Sequence, residues 1–183
     1  MKLLRFLAPL TFCLSASAMA GGSLNLSIND NLAGLEYDAT RMGTPLHVSA
    51  GFVHHEQDGN VLNLGLNAVD VRSPNSPLRI GIGGKAYAYF TDFSDSGAVA
   101  IGGFIDYAPS ELRGLSFGGH AYYSPSVLSF DDTENLVDFG ADVGYRLLPT
   151  AKIYLGYRFI EAREEVVDIE VVKEGVFGLQ IDF

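Results

Sequence analysis

Apolar side chains recur at every second position through most of this chain, and that period is what most restricts its fold. Leu24, Leu26 and Ile28 alternate with Asn25, Ser27 and Asn29, and Leu35, Tyr37 and Ala39 alternate with Glu36, Asp38 and Thr40. Successive side chains of a strand point to opposite faces, so this pattern describes amphipathic strands rather than helices. The same rhythm runs through Leu46–Phe52, Leu62–Ala68, Ile80–Ala88, Val99–Tyr107, Leu115–Tyr123, Val137–Tyr145 and Ile153–Phe159, and it ends in Val176-Phe177-Gly178-Leu179-Gln180-Ile181-Asp182-Phe183. The sixth segment is the least clear, because Phe104 falls on its polar face. About ten strands result, with eight as the alternative count.

The start of the chain says where such strands would go. Lys2 and Arg5 precede an apolar run from Phe6 to Leu14, and Ala18-Met19-Ala20 supplies the small residues of a cleavage site. Residues 1–20 are therefore expected to be a signal peptide, leaving 21–183 as one domain. Cys13 lies within the signal, so the mature chain has no cysteine for disulfides, thiolate metal ligands or nucleophiles.

Charge narrows the classes further. The chain has 12 Lys+Arg against 22 Asp+Glu, and loss of Lys2 and Arg5 leaves 10 against 22. Nucleic acid, which needs cationic partners, is an unsuitable ligand. Yet 48% of the residues are hydrophobic, and after Ala20 no apolar run approaches the roughly 18 residues of a membrane helix. Alternation reconciles the two: one face meets lipid and the other a lumen. The expected fold is an all-β, antiparallel, up-and-down transmembrane β-barrel with both chain ends on the periplasmic side. A soluble β-sandwich also alternates. Large aromatic residues near strand ends favour the barrel: Phe52, Phe90, Tyr123 and Phe159 toward one rim, Tyr107, Tyr145 and Phe183 toward the other, placed as two interfacial girdles.

Proline-bearing periplasmic turns are expected at 42–45, 72–77, 108–111 and 147–150, with outer loops at 29–31, 54–60, 91–97, 124–134 and 161–171. The closing strand resembles the assembly signal of outer-membrane barrels, with Gly178, Ile181 and Phe183 at the matching positions. From the signal through the SLNLSIND segment to the terminal phenylalanine, the chain resembles the YfaZ family of Gram-negative outer-membrane proteins. That resemblance implies a small outer-membrane barrel and brings no catalytic residues.

Function would reside in the lumen, whose expected charges include Glu36, Asp38, Lys85, Asp138, Asp142, Lys152 and Arg158. Matching the faces of strands eight and nine places Asp138 near Arg158 as an interior ion pair, since a lone charge in a narrow barrel is costly. Glycines on this face either leave room for water or receive Tyr87, Tyr89, Tyr122 and Tyr154. Paired charges plugging the lumen suit a structural or surface-interaction role; a narrow, cation-preferring pore is the alternative. His47 and Ser49 share a face, as in the beginning of a lipid-modifying hydrolase, but a nucleophile needs its base and an orienting third group. His54-His55-Glu56 offers donors, though adjacent histidines on a strand point opposite ways, so no metal site or cofactor is expected. Asp131, Asp132, Glu134, Glu164, Glu165, Asp168 and Glu170 make the outer loops acidic. Their expected partners are lipopolysaccharide phosphates bridged by divalent cations, alongside membrane lipid and the barrel-assembly machinery. Val166, Val167, Ile169, Val171 and Val172 suggest that the last two strands extend past the membrane as a hairpin.

Overall fold

A computed structural model describes residues 21–40, 45–56, 59–70, 76–91, 95–130, 133–164 and 168–183. The strands are β1 (Gly22–Ile28), β2 (Leu32–Thr40), β3 (Leu46–His55), β4 (Gly59–Val69), β5 (Leu78–Phe90), β6 (Asp95–Tyr107), β7 (Leu115–Ser124), the two-residue β8 (Ser129–Phe130), β9 (Thr133–Leu148), β10 (Ala151–Glu164) and β11 (Asp168–Asp182). A single 3-10 turn, Ser126–Leu128, interrupts this order among the described residues. Apart from β8, each strand pairs antiparallel with its neighbours, and two pairings close the ring: β5 with β6, and β11 with β1. The result is a closed ten-stranded barrel, which excludes both the sandwich and the eight-stranded alternative. Closure leaves no strand edge with unpaired backbone groups, the condition for spanning lipid with sheet.

The expected parity holds on both faces. β3 is the cleanest case: Leu46, Val48, Ala50 and Phe52 are exposed while His47, Ser49, Gly51 and Val53 are buried. Outward apolar side chains such as Leu64, Ile82 and Leu155 are 65%, 68% and 69% exposed, a wall that water would not tolerate but hydrocarbon does. Phe104 faces inward, beneath the Arg79 guanidinium 5.4 Å from its ring centroid, and occupies the volume that a side chain at Gly81 would take. Its break in the pattern is thus filled by a neighbouring glycine.

The two chain ends meet. Gly22 and Phe183 exchange backbone hydrogen bonds, each N–H donating to the other's carbonyl at 2.8 and 2.9 Å. The Phe183 ring stacks on Tyr37 at 6.1 Å. This rim is the terminal end of the barrel, and the opposite rim is the far end.

The connections differ from expectation. The 29–31 connection is as short as expected, but other far-end strands reach further than expected, β3 and β4 to His55 and Gly59, β5 and β6 to Phe90 and Asp95, and β10 and β11 to Glu164 and Asp168, whereas at the terminal end β6 stops at Tyr107 and β7 starts only at Leu115. His54 and His55 belong to β3, Glu134 to β9, Glu164 to β10, and Asp168 and Glu170 to β11, so these acidic positions lie on strands, not loops. Asp131, Asp132 and Glu165 lie outside the described residues, as does the expected signal at 1–20. The physical reason is pairing. Far-end strands continue through polar sequence because each added residue gains a cross-strand partner, as in Ala162↔Ile169 and Arg163↔Asp168 of the extended β10–β11 hairpin. Prolines at the terminal end remove the N–H that such continuation needs. Gly59 and Gly114, with φ of 96° and 86°, adopt turn conformations that other residues avoid.

Candidate functional site in the barrel lumen

The inward face has two different halves. Toward the far end, Leu32, Val53, Val61, Tyr89, Leu136, Ile160, Ala162 and Val172 are 0–3% exposed and form one cluster. Each large aliphatic side chain buried this way contributes about 1.5–3 kcal/mol. The Tyr89 hydroxyl hydrogen-bonds Thr133, which Ser96 also contacts at 2.7 Å; Ser96 donates to the carbonyl of Phe130 at 2.6 Å and so ties β8 to the wall. The interior here is packed with buried apolar side chains.

Below this core stands a layer of charge. Asp138 is fully buried and accepts from the Tyr87 hydroxyl at 2.7 Å. His120 Nε2 lies 3.1 Å from its other oxygen, and Arg158 Nη2 approaches at 3.8 Å. The expected Asp138–Arg158 pair therefore forms, diagonally, because β9 and β10 set Arg158 opposite Gly140 and Asp138 opposite Ile160. His120 fits over Gly140, where a Cβ would collide with its ring. Lys85 reaches Glu36 at 3.3 Å and also stands 4.9 Å from the centroid of the Tyr122 ring. Tyr122 in turn donates to Asn67 at 2.9 Å, from the opposite part of the wall.

Nearer the terminal rim, Lys152 meets Asp142 at 3.5 Å, and Asp142 occupies the space above Gly118. Tyr154 donates to Asn25 at 2.6 Å, and its ring covers Gly178. Gly178 thus has a packing role besides its place in the closing strand, where Ile181 faces outward opposite Leu24. Glycines on the lumen face receive side chains from neighbouring strands, but mostly not the expected tyrosines: Tyr154 covers Gly178, whereas Gly118, Gly140 and Gly144 lie under Asp142, His120 and Lys152. Two further pairs, Arg79–Asp106 at 2.8 Å and Arg146–Asp182 at 3.6 Å, sit half exposed near the mouth.

A cavity of about 180 Å³ occupies this polar half, lined by side chains that include Asn25, Glu36, Asp38, Asp142, Lys152 and Tyr154. His47 and Ser49 both point inward, but His47 Nδ1 lies 3.0 Å from Asp38, and the buried Ser49 hydroxyl has no hydrogen-bond partner. The imidazole is thus engaged by a carboxylate that sequence reasoning had not connected to it. His54 and His55 diverge as expected: His54 meets Asn60 at 2.9 Å outside, and His55 approaches Glu174 at 3.5 Å inside. Glu174 also accepts from Asn29 and Asn31, fastening the β1–β2 turn to β11; nothing in the alternation pointed to this cluster. Glu134 is exposed at the start of β9.

Of the residues expected in the lumen, Glu36, Asp38, Lys85, Asp138, Asp142, Lys152 and Arg158 are all brought there, each in a pair. No curated protein matches the chain. Full-length agreement with the family model described as YfaZ precursor, over residues 1–183, shows that the chain belongs to that family.

Proposed function

We propose that this protein is an integral outer-membrane barrel with a structural and surface-interaction role, exported as a precursor and sealed against conduction. The observation that carries this reading is the apolar packing of the far half of the lumen, where Leu136, Ile160 and Val61 are 0–1% exposed. An ion crossing that layer would shed its hydration among apolar side chains and hydroxyls already bonded to one another. With the terminal rim toward the periplasm, the charged half of the lumen faces inward to the cell and the β10–β11 hairpin faces outward. Carboxylates of that rim, Glu134 among them, are suited to meet lipopolysaccharide phosphates through divalent cations. The closing strand with Gly178, Ile181 and Phe183 is suited to the barrel-assembly machinery. The barrel is read as non-enzymatic: His47 is engaged by Asp38 at the terminal end, away from the outer leaflet.

Single-channel recording of the purified barrel in planar bilayers tests the sealed lumen. The expected trace is that of the empty bilayer, and reproducible conductance steps would favour the cation-preferring pore instead. Lipid A and phospholipid profiles should be unchanged on overexpression; a new lipid product would restore the enzyme.

A further inference from the structure

The ion pairs of the polar half point two ways. Lys85 exposes 6% of its side chain and its partner Glu36 31%, so this pair turns its carboxylate to the cavity. Asp138 is 0% exposed, while His120 and Arg158 beside it expose 29% and 12%, so this group turns its cations to the same space. Nearer the rim both orientations recur, the carboxylate being the more exposed member of Lys152–Asp142 and the guanidinium that of Arg79–Asp106. Apart from His120, four carboxylates and four Lys or Arg side chains line the cavity. A simple cation or a simple anion therefore finds no net charge to favour it. The two opposed groups of the charge layer lie close together: after Lys85, the charges that act most on Glu36 are those of Arg158 and His120. Arg158 is also the least satisfied of them. Its Nη2 is 3.8 Å from Asp138, and neither Nε nor Nη2 has a hydrogen-bond partner among the described residues.

We propose that the charge layer at the inner end of this cavity binds a small α-amino acid as its zwitterion, the ammonium held by Glu36 and the carboxylate by Arg158 and His120. Each charge of the ligand meets the exposed member of a group whose counter-ion stays in the wall, so neither Lys85–Glu36 nor Asp138–Arg158 has to separate. A guanidinium suits the carboxylate end because its N–H fork matches the two oxygens, and at 3.8 Å Asp138 does not occupy it with a hydrogen bond. Glu36 on β2 and Arg158 on β10 are separated by only β1 and β11 round the wall, which suits a ligand whose opposite charges are one carbon apart. A single water needs roughly 10–15 Å³, so a cavity of about 180 Å³ holds such a molecule together with water. The proposal rests on the sealed, periplasm-facing lumen described above.

The test is saturation-transfer NMR on the full-length mature barrel in lipid nanodiscs, titrated with glycine, with sodium acetate and methylammonium chloride as the two half-ligands and empty nanodiscs as the blank. Saturable binding of glycine is expected, with neither half-ligand displacing it at equal concentration; this comparison uses the unaltered protein and needs no variant to fold. Two charge-neutral double variants each remove one exposed charge with its buried counter-ion: Glu36→Gln with Lys85→Met, and Arg158→Met with Asp138→Asn. In barrels whose heat-modifiable gel mobility confirms folding, each should weaken glycine binding about three- to fivefold, the effect of one partly exposed ion pair. Absence of saturable binding, equal affinity in the unaltered barrel and both folded double variants, or displacement of glycine by either half-ligand at equal concentration overturns the ligand. Conductance in the same preparation would instead overturn the sealed lumen, so the two failures are separable.

Discussion

Replacing Asp138 by asparagine isolates the charge at the centre of the lumen with almost no change of volume. Asp138 has 0% of its side chain exposed and Arg158 12%, so little solvent is at hand to take over when the pair is broken. The substituted amide can still accept from Tyr87, but it cannot neutralise Arg158 or favour a hydrogen bond from His120. Removing one partner of a buried pair costs about 3–5 kcal/mol, chiefly because the other charge stays buried. Arg158→Met is expected to cost less, about 1–3 kcal/mol, since Asp138 keeps its two other contacts. The double variant should recover part of the Asp138→Asn loss, because no net cation then remains in the wall. The chain contains no tryptophan, so urea unfolding in phospholipid vesicles is best followed by far-UV circular dichroism and by heat-modifiable gel mobility. The reasoning fails if Asp138→Asn costs no more than Arg158→Met, or if the double variant is as unstable as Asp138→Asn alone.

Three further perturbations address other parts of the barrel. Leu136→Ala, at a site with 0% exposure in the far-end core, should destabilise by about 2–5 kcal/mol in the same unfolding assay, the range for an aliphatic truncation that leaves a cavity. Gly178→Val would drive a side chain into the ring of Tyr154 and detach it from Asn25; a loss of about 1–3 kcal/mol is expected, whereas Gly175→Ala, with no close neighbour, should be tolerated. Deleting Phe183 removes the reciprocal backbone bonds to Gly22 and the stack on Tyr37, and should lower the yield of folded barrel in membrane fractions; unimpaired insertion would refute the assembly role.

Strand parity was legible in the sequence because one period governs every membrane-facing segment. It placed Leu46, Val48, Ala50 and Phe52 outside and His47, Ser49 and Gly51 inside with no tertiary information. The Asp138–Arg158 pair was legible for a related reason: β9 and β10 share a turn at Pro149 and Thr150, which nearly fixes their register. The His47–Asp38 contact was not, since the register of β2 against β3 sets Thr40 opposite His47 and Asp38 opposite Ser49, and alternation alone contains no register. Loop extents were misread where charge was taken as a mark of loop, as at Glu134 and Glu164, whereas the extension of the last two strands as a hairpin was legible from Ile169 and Val172, which pair with Ala162 and Ile160.

The far-end core also escaped the alternation, and its physical origin explains why the lumen has two halves. Where inward positions are polar, as at Asn63 and Asn67 of β4, the pattern reads as a strand facing water on one side. Where Val53, Val61, Leu136 and Ile160 point inward next to Phe52, Leu62, Val137 and Phe159, both faces are apolar and the period fades from the sequence. Loss of alternation at the far ends of β3, β4, β9 and β10 therefore marks a change in what fills the interior, not an end of strand. Charges can remain in the other half because each is met by a neighbour of opposite sign or by a tyrosine, and because the cavity leaves some of them hydrated. A barrel built this way is a small protein core at one end and a wetted, charge-lined cup at the other. Stability of the core and charge of the cup are thereby assigned to different residues, so Leu136→Ala should alter unfolding while leaving the Lys85–Glu36 and Lys152–Asp142 pairs in place.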